Sequence, residues 1–169
     1  MADLAGKPQA NGLIVTDLPA NKLGSFFAFK VRVVTDYTTT GIDGPISEPF
    51  LLAGKPARPP TPPTRDDSTN NMQIVLNVAT VAQDNGTPIR SYHIEIDNGM
   101  GGAFTEIQGF QTNSMLLKAT KSLGIYPGLY YRVRYRVKNA IGWSEFSDIT
   151  YILSARRPDT PVPPTITLW

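Results

Sequence analysis

An all-β fold of two sheets packed as a β-sandwich is what this sequence predicts, and three observations carry the prediction. Short runs alternate apolar and polar residues, as in Tyr92-His93-Ile94-Glu95-Ile96-Asp97, so one face of each strand is apolar. Turn signals punctuate those runs, among them Asp84-Asn85-Gly86-Thr87-Pro88 and Asn98-Gly99-Met100-Gly101-Gly102. The 169 residues include 15 Pro and 14 Gly, which argues against long helices. Hydrophobic residues make up 41% of the chain, enough for a core, so a fully disordered chain is excluded.

From the N-terminus, Phe26 to Thr35 alternates as a strand, with Phe27, Phe29, Val31 and Val33 on one face. A loop with Gly41 follows, then the short strand Pro45-Ile46-Ser47-Glu48-Pro49. A proline-rich run from Pro56 to Pro63 reads as an extended linker or the start of an edge strand, because proline fixes φ and donates no backbone hydrogen bond. Strands are then expected at Met72–Val78, Tyr92–Asp97, Phe104–Ile107, Ser114–Lys118, Tyr131–Asn139 and Ile149–Leu153. In Tyr131–Asn139 a period of two sends Tyr131, Val133, Tyr135 and Val137 inward, and Arg132, Arg134, Arg136 and Lys138 outward.

The chain repeats itself. Nine of the prolines fall in two clusters that begin at Pro56 and Pro158, 102 residues apart. The segments before them match: Phe26 to Thr35, Gly41 and Pro45 to Pro49 correspond to Tyr130 to Asn139, Gly142 and Glu145 to Asp148. On that alignment Phe27, Phe29, Val31 and Val33 stand where Tyr131, Val133, Tyr135 and Val137 do, and the first loop is four residues longer. A period near 100 is that of a domain array.

Three ordered motifs then carry a resemblance. Ile125-Tyr126-Pro127-Gly128-Leu129-Tyr130-Tyr131-Arg132-Val133-Arg134 resembles the L-x-P-G-T-x-Y-x-F-R run of fibronectin type III domains. Asn139-Ala140-Ile141-Gly142-Trp143-Ser144, ending at Ser147, resembles that family's N-x-x-G-x-S-x-x-S. Gly86-Thr87-Pro88-Ile89, reaching Tyr92 and Glu95, resembles its G-x-P-I-x-x-Y-x-x-E. Val78 departs from the pattern, standing where the family carries a core tryptophan, and Phe27 stands where the corner tyrosine is expected. The resemblance implies an immunoglobulin-like β-sandwich. It divides the chain into the C-terminal half of one domain (1–55), a complete domain (56–157), and a linker with the first strand of a following domain (158–169). Half a sandwich leaves its apolar face bare, so the strands missing before residue 26 are expected from upstream sequence or, as strand complementation, from another chain.

Few residues suggest chemistry. There is no cysteine and one histidine, so thiolate zinc sites, cysteine nucleophiles and multi-histidine metal centres are excluded and no cofactor is expected. His93 falls on the polar face of its strand with Ser91 and Glu95 and reads as an ordinary surface histidine. Asp84 and Asp97 each head a glycine-containing turn. A calcium site wants several more oxygens, and turn chemistry is the simpler reading. Gly99-Met100-Gly101-Gly102 lacks the Lys-Ser/Thr tail of a phosphate loop. No catalysis is expected.

Two groups of residues are candidates for binding a partner. Arg132, Arg134 and Arg136, with Lys138, form a basic stripe suited to a polyanion, although the resemblance implies that the strand of Glu95 and Asp97 lies beside this one, and pairing with them accounts for the stripe more simply. In the arrangement the resemblance implies, Trp143 and Phe146 sit at a loop, either as partner anchors or packed on the sheet end or a neighbouring domain. Asn85-Gly86-Thr87 is an N-glycosylation sequon in a predicted turn, followed by Pro88, which hinders its use. A net charge of +2 gives no case for nucleic acid, and no apolar run approaches the ~20 residues of a membrane span. Met1 to Leu4 show no signal-peptide pattern. The expected function is a non-catalytic spacer and protein-interaction module of a larger extracellular or cell-surface protein, with an intracellular cytoskeletal scaffold or an enzyme's accessory module as alternatives. Its partners include neighbouring domains of the same array.

Overall fold

The computed structural model describes residues 14–16, 18–34, 41–158, 161–163 and 165–166. Among them are eleven strands and one short 3-10 turn, Ala20–Lys22. They fall into two compact units, one within residues 1–54 together with 85–87, the other within 55–84 and 88–169. Part of the expected opening strand of a following domain (159–160, 164 and 167–169), the end of the first predicted strand at Thr35, and Met1 to Leu4 lie outside the described residues.

The larger unit is a two-sheet sandwich. One sheet has three strands, β5 (Thr64–Arg65), β6 (Ile74–Asn77) and β9 (Lys118–Lys121), in the order β5-β6-β9. The other has four, β7 (Ser91–Ile96), β8 (Thr105–Gln108), β10 (Tyr130–Lys138) and β11 (Thr150–Leu153), in the order β11-β10-β7-β8. Every pairing is antiparallel. The core lies between them. Ile74, Leu76 and Ala119 face Tyr92, Ile94, Ile96, Tyr131, Val133, Tyr135, Val137 and Ile152, all buried. Val78 is buried as well, so the valine is accommodated where a tryptophan was expected.

β10 follows its sequence pattern residue by residue. Tyr131, Val133, Tyr135 and Val137 are each 0% exposed, and the alternate residues Arg132, Arg134 and Arg136 are half-buried on the outer face. The buried tyrosines keep their hydroxyls satisfied, as a low-dielectric interior demands. Tyr131 Oη accepts from the Tyr126 amide (2.7 Å) and donates to the Gly124 carbonyl (3.3 Å), and Tyr135 Oη donates to the Ala79 carbonyl (3.1 Å).

In the larger unit two expectations need correction. The strand placed at Ser114–Lys118 begins at Lys118 instead; Met115, Leu116 and Leu117 are exposed, so that apolar run is a surface loop and only Ala119 of β9 reaches the core. His93 is no surface histidine, being 2% exposed. The edge strand that the proline-rich run 56–63 left open is β5, which begins directly after Pro63 and is two exposed residues long.

The smaller unit holds two two-stranded ladders. β1 (Phe26–Phe27) pairs with β4 (Phe50–Leu51), and β2 (Lys30–Val33) pairs with β3 (Ile42–Ile46) across a bulge between Lys30 and Arg32. The strand expected to run unbroken from Phe26 is thus split at Ala28-Phe29. Lys30 and Arg32 both hold Asp43, at 2.5 and 2.6 Å, across β2 and β3. Phe50 stacks on Phe29 at 5.3 Å, while Val31 and Val33 are 69% and 62% exposed. Among the described residues no helix is long and apolar enough to cross a membrane.

The two units share a local device. The Ser47 hydroxyl accepts from the Phe29 amide (2.8 Å), and the Ser47 amide donates to the Phe29 carbonyl (2.8 Å). Ser147 does the same with Tyr135 (3.1 and 2.8 Å). Phe27 pairs with Phe50 as Val133 pairs with Thr150. Both correspondences equate Phe29 with Tyr135 and Phe27 with Val133, two residues from the sequence alignment, so the first loop is six residues longer rather than four. A slip of two residues leaves the same side chains on the same face, so apolar periodicity cannot detect it.

Candidate functional site

The outer face of β10 is where charge, aromatic rings and partial exposure coincide. Its basic residues meet β7 in register: Arg134 opposite Glu95, Arg136 opposite His93, Lys138 opposite Ser91. Arg134 binds Glu95 through Nε (2.9 Å) and a terminal nitrogen (2.8 Å). Arg132 Nε donates to Asp97 Oδ2 (2.8 Å), and its amide donates to Asp97 Oδ1 (2.9 Å), which also accepts from the Gly99 amide (3.0 Å). Burial works to raise the Asp97 carboxyl, but these donors outweigh it and hold it below the usual carboxylate range. Its oxygens are therefore engaged by Arg132 and the turn. Cross-strand pairing of the basic stripe holds for Arg132 and Arg134.

A second layer covers this face. Residues 144–149 run beside β10 without strand hydrogen bonding of their own, after a bridge from Trp143 to Lys138. The hydroxyls of Ser144 and Ser147 stand in for a ladder. They accept from the amides of Val137 and Tyr135 (3.1 Å each), and the serine amides donate back to the same residues' carbonyls (2.8 Å each). Both hydroxyls donate to the next residue's carbonyl, at 2.8 Å. Serines three apart facing β10 mean that Trp143 and Phe146, also three apart, share another side of an extended chain with about three residues per turn.

That side lies over the guanidinium groups. Arg134 sits between Phe104 (4.1 Å to the ring centroid) and Phe146 (3.9 Å). Arg136 lies against Phe146 (4.5 Å) and Trp143 (4.9 Å), and Lys138 against Trp143 (5.3 Å). Rings and cations alternate along the strand, each contact attractive through the ring quadrupole. Trp143 and Phe146 are thus packed on the sheet, half-buried, rather than held out at a loop.

His93 lies beneath this layer. Its ring is 5.0 Å from Phe110, 5.5 Å from Trp143 and 5.9 Å from Phe146. Nδ1 accepts from Arg136 Nε (3.1 Å), and Nε2 is 3.4 Å from Glu95 Oε1. A nitrogen that accepts from a guanidinium carries no proton, so the imidazole is neutral. Burial holds its pKa below the ordinary histidine value, Arg136 and Arg134 act in the same direction, and Glu95 and Glu106 oppose them. Gly109 shapes this corner: at φ +92° it ends β8 so closely that a Cβ would lie 1.9 Å from the Tyr92 carbonyl oxygen. Phe110 follows it and remains 51% exposed.

Phe104 and Phe110 are members of this face that the sequence did not single out, and His93, expected on this face, is buried in it rather than exposed. The three-residue spacing of Trp143 and Phe146 against Ser144 and Ser147 was the signal available for the layer itself. Asn85 is half-buried in the predicted turn at φ 55°. Among the described residues no group of three or more His, Cys, Asp or Glu clusters to hold a metal ion.

No protein-family model matches the sequence. The chain is 31% identical over 118 residues, 69% of its length, to a mouse fibronectin type III domain containing protein 3C1. It is 30% identical over 97 residues, 57% of its length, to a titin homolog of Caenorhabditis elegans. The chain spans 8% of the mouse protein and a share of the nematode protein that rounds to 0%. In three dimensions it resembles a human protein's fourth fibronectin type III domain, with TM-score 0.53 and 17% identity over 78% of this chain and 95% of that domain. Sequence likeness and fold agree in supporting a fibronectin type III domain array for this chain.

Proposed function

We propose that this chain is a non-catalytic spacer and protein-interaction module of a larger protein, and that the outer face of β10 is its contact surface. The supporting observation is the ring-and-cation layer. Trp143, Phe146 and Phe110 are rigid aromatic side chains beside guanidinium groups, the residue types that dominate interface energetics. Residues 56–157 act as one complete domain, 1–55 as the C-terminal half of a preceding one, and 158–169 as a linker and the first strand of a following one. The bare row of Val31 and Val33 is covered by upstream strands or by strands from another chain. Extracellular or cell-surface placement is the first reading, with Asn85 as the glycan site. The likeness to a titin homolog favours a second, an intracellular scaffold.

Two measurements test this. The immobilised chain should retain from its native extract a protein that, once purified, binds the wild-type chain and loses at least tenfold affinity for Phe110→Ala. Equal binding to both would remove the outer face from the interaction. Glycan mass on Asn85 in native material supports the surface reading, and its absence supports the intracellular one.

A further inference from the structure

The two halves of the outer face differ in charge balance. At one end, each cation of β10 meets a carboxylate: Arg132 with Asp97, Arg134 with Glu95. At the other, β7 presents His93 to Arg136 and Ser91 to Lys138. His93 is neutral because it accepts from Arg136, and Ser91 is buried with its hydroxyl donating to the Gly109 carbonyl (2.7 Å). Among the described residues neither Arg136 nor Lys138 makes an ion pair. Glu95 and Glu145 act on Arg136 through space, but Glu95 is engaged by Arg134. Two cations are thus held in place by Trp143 and Phe146 with no carboxylate of this domain in contact.

We propose that Arg136 and Lys138, framed by Trp143 and the exposed ring of Phe110, form a docking site for an acidic peptide segment of a protein partner. The proposal rests on the reading of this face as a contact surface and names the chemistry it selects. A partner carboxylate completes the cross-strand pattern that β7 leaves unfinished above Glu95. Guanidinium and ammonium groups already positioned by rings lose little side-chain freedom on binding. The flanking Phe110, 5.9 Å from Trp143, offers an apolar surface beside the two cations for the side-chain methylenes of such a segment.

A Trp169→Phe background leaves Trp143 as the chain's single fluorophore of its type. Titrating that chain with a hexaglutamate peptide at low ionic strength should give a saturable change in emission. Lys138→Glu and Arg136→Gln should each weaken binding at least tenfold, with circular dichroism confirming the fold. Lys118→Gln, on the opposite sheet, should not weaken it. Added salt should weaken the wild-type interaction, as for exposed charges. Absence of saturable binding, or binding that survives Lys138→Glu, overturns the proposal. Saturation by a heparin-like oligosaccharide but not by hexaglutamate overturns it in favour of a glycan. Retention of the native partner that survives Lys138→Glu yet is lost in Phe110→Ala overturns the acidic segment and leaves the contact surface standing.

Discussion

Arg134 and Val133 are neighbours in sequence and were expected to differ sharply in energetic weight. Periodicity made Val133 core and turned Arg134 outward, and the strand order implied by the resemblance made it an exposed ion pair. The first half holds: Val133 is 0% exposed, and Val133→Ala should cost about 1–3 kcal/mol through lost burial. The second half changes. Arg134 is sandwiched between Phe104 and Phe146 as well as paired with Glu95, so Arg134→Ala should cost about 1–2 kcal/mol, above the ceiling of ~1 kcal/mol expected of an exposed pair. Urea melts of the two variants check this, and an Arg134→Ala loss well below that range would mean the ring contacts contribute little.

His93 sets a pH dependence at the same scale. Its folded pKa lies below the ordinary 6.5, so below that value the unfolded chain binds a proton that the folded chain refuses. Stability from this residue is complete above about 6.5 and falls as pH drops, until the folded imidazole itself titrates. The urea midpoint should therefore be lower at about pH 5 than at about pH 7, and His93→Gln should flatten the difference. An unchanged slope in that variant would assign the effect to other groups.

Between residue and fold stands the segment 143–148. Its attachment depends on hydroxyls rather than on a β-ladder, so it is sensitive to small substitutions. Ser147→Ala leaves the buried Tyr135 amide without its acceptor, which costs about 1–3 kcal/mol. Amide exchange at Tyr135 should speed up in that variant, and the His93–Phe146 packing should loosen with it. Tyr135 exchange at the wild-type rate would show that the hydroxyl is not the retaining contact. The same chemistry at Ser47 and Phe29 is why a serine followed three residues later by a β-strand residue repeats in the smaller unit.

For the whole molecule the contrast is between a closed sandwich and two ladders with exposed apolar residues. In the larger unit the inward row of β10 is fully buried; in the smaller, Val31 and Val33 remain largely exposed among the described residues. Exposed apolar rows on strand ladders mark interfaces. Limited proteolysis of the 169-residue chain should cleave within residues 14–54 well before it cleaves within β6 to β11. If another chain supplies the covering strands, light scattering should instead show a discrete oligomer that Val31→Asp dissociates. A protease-resistant monomer would sink both readings.

The all-β class, the inward and outward faces of β7 and β10, and the family motifs were legible in the sequence because each depends on residues close together: alternation needs only neighbours, and turns need only four or five positions. Tertiary structure alone decided the remainder. It set the two-residue shift that equates Phe29 with Tyr135, because pairing partners lie outside any local window. It buried His93, because Phe110, Trp143 and Phe146 arrive from two other segments. It also split the basic stripe into a neutralised end and an uncompensated one, since the charge opposite each arginine is set by strand register and not by the arginine's own sequence neighbours.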